Sequence, residues 1–162
     1  MSGINHGPNM SINVIYSGTM SAAVEGAIES VPSIGFSLLN DSIDADFSAS
    51  KKIVKTIASQ VLKNGLPKGV CLNVNIPKIK FELIKGIKVC RQARANWIEE
   101  LDERKDPSGK TYFWLTGRFD NYDKGKKDTD VWALENQYVS VVPTQFDMTS
   151  HNSIKVIEKW KL

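Results

Sequence analysis

Between Met20 and Ile76 the apolar residues alternate between helical and strand spacing, and this constrains the fold more than any other feature of the chain. Met20, Ala23, Val24, Ala27, Ile28 and Val31 fall on one stripe at helical period. Pro32 stops that helix, and Ser33 to Leu39 reads as a short buried strand bounded by Asn40-Asp41-Ser42. Ile53, Val54, Ile57, Ala58, Val61 and Leu62 form the stripe of a second helix over about Ser50 to Lys63, and Asn64-Gly65 suits its left-handed cap. Val70, Leu72, Val74 and Ile76 then alternate with Cys71, Asn73 and Asn75, a strand that Pro77 closes. Ahead of these elements, Ile12, Val14 and Tyr16 alternate as a brief strand or an extended lead-in. The whole is the rhythm of an α/β domain with a parallel sheet.

The residues before Ser11 read differently. Ser2-Gly3-Ile4-Asn5-His6-Gly7-Pro8-Asn9 is dense in glycine and asparagine and is predicted to be a loop. Most domains begin with an element that ties the terminus down, so the chain is expected to begin partway through a domain. Met1 to Asn13 lack the basic start and apolar core of a signal peptide, and no apolar run approaches the roughly 20 residues that span a bilayer. Two cysteines, Cys71 and Cys90, cannot build a disulfide framework and suit a reducing, cytoplasmic setting. The net charge of +3 is too small to imply nucleic-acid binding.

After Pro77 the pattern changes. Ile87 to Cys90, Tyr112 to Leu115 and Tyr138 to Val142 read as strands, Asp106-Pro107-Ser108-Gly109 as a turn, Asp130 to Gln137 as a short helix, and Ile154, Val156, Ile157 and Trp160 as a terminal helix. This half is rich in aromatic residues, among them Trp97, Tyr112, Phe113, Trp114, Trp132 and Tyr138. A hairpin of that kind cannot bury both faces alone, so it packs on the first half or on another chain. Residues 1–80 are therefore expected to form an α/β core, and residues 81–162 a hairpin-rich region used in oligomerisation, together making one domain.

Ser17-Gly18-Thr19 stands directly before the first helix. It reads either as a phosphate cradle, built from unpaired backbone N–H groups and hydroxyls, or as an ordinary N-cap. Asn5 and Asn9 lie just ahead of it. An asparagine carbonyl ligates a hard cation or accepts a hydrogen bond, and it also satisfies turns. His6 and His151 have no His or Cys at ligand spacing, and His6 reads as an anion donor or an exposed loop residue. Asp41, Asp44 and Asp46 lack the glycine and terminal glutamate of a calcium loop.

Taken together, the motifs resemble the SurE (survival protein E) nucleotidase family. The matching segments are Ser-Gly-Ile-Asn-His-Gly-Pro-Asn at 2–9, Val14 to Gly26 with its Ser-Gly-Thr, Pro32-Ser33-Ile34, Asn73-Val74-Asn75-Ile76-Pro77, Arg91-Gln92-Ala93-Arg94, Asp106-Pro107 with Tyr112 to Leu115, Thr129-Asp130-Val131 and Tyr138 to Pro143. The resemblance covers essentially the whole chain, and Ala93 stands where the family has glycine. It implies the C-terminal part of a Rossmann-like α/β/α core with a C-terminal β-hairpin and helix region. It also implies a phosphoric monoester hydrolase that converts nucleoside 5′- and 3′-monophosphates to nucleoside and phosphate, a divalent cation (Mg or Mn) as cofactor, and a homo-oligomer, dimer or tetramer.

By resemblance, Asn5 is a metal ligand, Ser17, Gly18 and Thr19 contact phosphate, and Asn9 belongs to the same pocket. The family's Asn-Asp-Asp-Gly motif and metal-binding serine would precede Ser2, so no catalytic residue is assigned within the chain. The chain alone is expected to turn over little and to associate. Alternatives are a non-catalytic nucleotide-binding or oligomerisation fragment, or half of a split enzyme.

Overall fold

The computed structural model describes residues 1–162 and is built on a five-stranded sheet. Strand β1 (Ser2–His6) lies parallel to β2 (Ser33–Leu38), and β2 parallel to β3 (Val70–Ile76). Strand β7 (Tyr138–Gln145) pairs antiparallel with β3, and β4 (Gly86–Val89) closes the far edge parallel to β7. The sheet therefore draws strands from both halves of the sequence.

Helices α1 (Gly18–Ile28) and α2 (Ser48–Asn64) cover opposite faces. The α2 face is apolar: Ile34, Phe36, Leu38, Val74 and Ile76 pack against Ile53, Ile57 and Val61. Every residue of β2 is buried, which is why it reads as a short apolar block bounded by turn residues. The α1 face is small and polar. There Met20, Ala23 and Ala27 meet Cys71, and a Cβ at Gly35 would lie 2.4 Å from the Met20 sulfur, so the glycine lets the helix approach the sheet.

Four sequence expectations change. The predicted opening loop contains β1, whose Asn5 and His6 pair in register with Ser37 and Leu38. Ile12–Tyr16 is a 3-10 turn and not a strand. Helix α1 ends at Ile28, and Ser30 turns the chain with a φ of 60°, so Ile28 and Val31 are exposed. Leu62, placed on the buried stripe of α2, is 88% exposed.

The remaining elements extend from the sheet. Strands β5 (Ala95–Lys105) and β6 (Thr111–Asn121) form a separate two-stranded ribbon, closed where the Asp106 carboxylate accepts the N–H groups of Ser108 and Lys110. At its root, Asp123 is buried and accepts from Arg91 Nη1 at 2.7 Å, Lys126 Nζ at 2.8 Å and the Arg94 N–H at 2.9 Å. Those donors hold its carboxyl well below the usual range, with Lys126 contributing most. Helix α3 (Asp130–Glu135) packs beside β7, and α4 (His151–Ile157) ends the chain with no buried residue. No helix is long and apolar enough to cross a membrane.

Candidate phosphate and metal site

A polar row crosses the carboxyl ends of the central strands. Asn5 pairs in register with Ser37, Ser37 with Asn75, and Asn75 with Ser140. Paired residues on neighbouring strands share a face, so these four side chains belong to the α1 face. Ser37, Asn75 and Ser140 are fully buried, and the Ser140 hydroxyl has no hydrogen-bond partner. Ligands of open α/β sheets bind at this edge.

The loop between β1 and α1 is tied to that row at Asn9. The Asn9 N–H donates to Asn75 Oδ1 at 2.7 Å, and its carbonyl accepts from Asn73 Nδ2 at 2.7 Å. Asn75 Nδ2 donates in turn to Asn73 Oδ1 at 2.9 Å. The Asn9 side chain donates through Nδ2 to Ser37 Oγ at 2.7 Å. Two residues further on, the Ser11 N–H donates to Asp130 Oδ2 at 2.7 Å, while Asp130 Oδ1 accepts from Ala93 N–H at 2.9 Å and Val131 N–H at 2.8 Å. Asp130 is fully buried, and desolvation raises its pKa against the pull of those N–H groups. One carboxylate thus joins the site loop, the lead into the ribbon and the start of α3.

Asn5 is half-buried, and its Nδ2 donates to the carbonyls of His6 at 2.9 Å and Gly7 at 3.1 Å. Both Asn5 and Asn9 therefore have their amide N–H groups engaged by the protein and accept no hydrogen bond at Oδ1. Two neutral, hard oxygens are presented, which suits a divalent cation better than an anion. No three His, Cys, Asp or Glu side chains of the chain converge on a metal-binding point. The residues present fit the neutral part of a metal's ligand shell.

Ser17 is the N-cap of α1, and its side chain accepts the Met20 N–H at 3.0 Å. The hydroxyl thus performs the ordinary capping role. The N–H groups of Gly18 and Thr19 stand before any intrahelical partner, and nothing lies within 4 Å of a Cβ built on Gly18. The first turn rests on β2: a Cβ at Gly35 would meet the Thr19 carbonyl at 3.4 Å. Gly35 and Ser37 share one strand face, so the helix start and the Asn5–Ser37 row are neighbours. The sequence candidates Asn5, Asn9, Ser17, Gly18 and Thr19 are brought to one edge on one face.

His6 is not part of this group. It pairs with Leu38 on the α2 face, its Nδ1 donates to the Ser42 carbonyl at 2.9 Å, and its ring packs edge-on against Phe47 at 5.1 Å. Asp41 and Asp44 are exposed, and Asp46 caps Ser48. Sequence reasoning missed Ser37, Asn73, Asn75 and Asp130 as parts of the site. The signal for Asn73 and Asn75 was present: two amides at period two near the end of a buried strand need partners.

The match to known proteins follows this layout. Residues 1–99 match the family model described as Survival protein SurE. The chain is 65% identical over 162 residues to the 5′-nucleotidase SurE of Christiangramia forsetii, covering 100% of this chain and 62% of that protein. It is 61% identical over 162 residues to the 5′-nucleotidase SurE of Flavobacterium psychrophilum, covering 100% of this chain and 63% of that protein. The crystal structure of the Aquifex aeolicus SurE protein superposes with a TM-score of 0.82 at 40% identity, over 96% of this chain and 62% of the other. The chain thus spans less than two thirds of the length of these relatives. With its Rossmann-like α/β sheet, it belongs to the SurE survival-protein family.

Proposed function

We propose that the protein works as a metal-dependent phosphomonoesterase that releases phosphate from nucleoside 5′- and 3′-monophosphates. One observation carries this reading: two asparagine amides with free oxygens stand on the same sheet edge as the start of α1, whose first N–H groups, at Gly18 and Thr19, have no intrahelical partner. The names of the related 5′-nucleotidases support the substrate class.

The residues have distinct tasks. Asn5 Oδ1, with Asn9 Oδ1 beside the same row, would hold a Mg or Mn ion. Such an ion supplies Lewis-acid polarisation of a phosphoryl oxygen. The Gly18 and Thr19 N–H groups and the Thr19 hydroxyl bind the phosphate oxygens, favoured by the positive end of α1. Gly18 lets the phosphate approach the backbone closely. Ser17 fixes the helix start through its bond to Met20. Ser37, Asn73 and Asn75 fix the loop that carries Asn9.

The test is phosphate release from 5′-AMP and 3′-AMP with Mn²⁺, with EDTA, and in Asn5→Ala and Thr19→Val. Release that requires the metal and falls in both variants supports the reading. Release indifferent to EDTA overturns it. A second reading is a nucleotide-binding module without turnover of its own, favoured by the uncharged character of Asn5 and Asn9. Phosphate binding independent of metal, with no release, selects it.

We also propose that the protein works as a homo-oligomer. Leu101, Phe113, Trp114 and Leu115 are exposed on the ribbon, and Ile154, Ile157 and Trp160 on or just after α4. An apolar surface of this extent suits a second copy of the chain. Light scattering on Trp114→Glu checks it, with a smaller assembly expected.

A further inference from the structure

On the α2 face, opposite the Asn5 row, a cavity of about 460 Å³ opens at the carboxyl ends of β2 and β3. That volume lies within the range of small-molecule sites. Part of its wall is apolar, from Leu38, Ile79 and Phe81, and three lysines line it. Lys52 comes from α2, and Lys78 and Lys80 from the segment after β3.

The charges are unequally matched. Lys52 Nζ lies 4.0 Å from the Glu82 carboxylate and 4.4 Å from the centre of the Phe81 ring, so it is held by neighbours on both sides. Asp46, the other acid of the cavity, has its oxygens engaged by the N–H and hydroxyl of Ser48, both at 2.8 Å. Lys78 and Lys80 form no ion pair, and they flank the partly exposed Ile79 beside the exposed Phe81. Three lysines against two acids leave the cavity lining net positive, and an anion is attracted to it.

We propose that this cavity is a second anion site, taking a phosphomonoester with an apolar or planar organic part, with Lys78 and Lys80 on the phosphate and Phe81 and Ile79 against the organic part. It is independent of the site at α1, because the two lie on opposite faces of the sheet. The chemistry is that of a phosphate group next to a ring, as in a nucleoside monophosphate, and it does not require hydrolysis.

The experiment is a titration of the full chain with AMP and, separately, with inorganic pyrophosphate, read from backbone amide shifts. Residues 78–82 report this cavity and residues 17–19 report the α1 site. AMP is expected to shift both groups. Lys78→Ser with Lys80→Ser should weaken binding at 79–82 about tenfold or more and leave 17–19 unchanged. Thr19→Val should do the converse. Both lysines are exposed, so the double variant should keep its spectrum elsewhere. No AMP-dependent shift at 78–82, or a shift that survives the double substitution, overturns the proposal. Pyrophosphate binding as tight as AMP at 78–82 overturns the role given to Phe81 and Ile79. Failure of the α1 reading would appear only at 17–19.

Discussion

The Asn9 side-chain amide donates to the Ser37 hydroxyl at 2.7 Å, which leaves the amide oxygen without a protein partner. With Nδ2 turned toward β2, the oxygen is the end left free. Asn5 is oriented in the same sense by two backbone carbonyls. An anion site would have the opposite need, with N–H groups presented and oxygens turned away.

Removing the anchor should therefore affect both stability and metal. Ser37→Ala leaves a buried amide donor unpaired, which costs about 1–3 kcal/mol. Urea denaturation checks that loss. Mn²⁺ affinity should fall with it, because the Asn9 amide is then free to rotate.

Ser17 separates capping from phosphate contact. Ser17→Ala should destabilise the chain by about 1 kcal/mol, the usual worth of an N-cap. Ser17→Asp should restore the cap yet weaken phosphate binding, since it adds negative charge at the anion site. Thermal unfolding and phosphate titration of the two variants read the effects apart.

Asp130 should be among the more sensitive polar positions. Its carboxylate accepts three N–H groups from three segments of chain, and all of it is buried. Asp130→Ala leaves those donors unmatched, a loss of about 3 kcal/mol or more. Hydrogen exchange at Ser11, Ala93 and Val131 should rise together.

Asp123 gives a pH signature. Its folded pKa is depressed, so its contribution to stability is present above the unfolded value of about 3.9 and is lost as pH falls through the folded value. Asp123→Asn should lower Tm at pH 7, and the gap to the parent chain should narrow as pH drops below about 4. A gap that stays constant with pH would contradict the role of the Arg91–Asp123–Lys126 cluster.

How much of this was legible follows the physics of each element. Strands β2 and β3 and helices α1 and α2 carry buried apolar patterns, and the sequence placed them to within a few residues. Strand β1 carries Gly3, Asn5 and Gly7 in its vicinity, so local preference argues for a loop. Only pairing with β2 makes it a strand. Strand β5 escaped notice because Glu99 to Lys105 is almost entirely charged, and a ribbon exposed on both faces needs no apolar alternation. The start of α1 at Gly18 was readable from Ser17-Gly18-Thr19 standing before an apolar stripe. Asn73 and Asn75 could be flagged as buried amides in need of partners, but their partner, and that of Ser37, could not be named, because Asn9 lies 28 to 66 positions away along the chain.

The most direct test of the site uses Mn²⁺ as a paramagnetic probe. The side-chain amide signals of Asn5 and Asn9 should broaden at low Mn²⁺, together with the backbone amides of Gly18 and Thr19 once phosphate is added. Asn5→Ala should remove the effect at all four positions. Broadening that spares Asn5 and Asn9, or that persists unchanged in Asn5→Ala, would contradict the assignment of this edge as the metal and phosphate site.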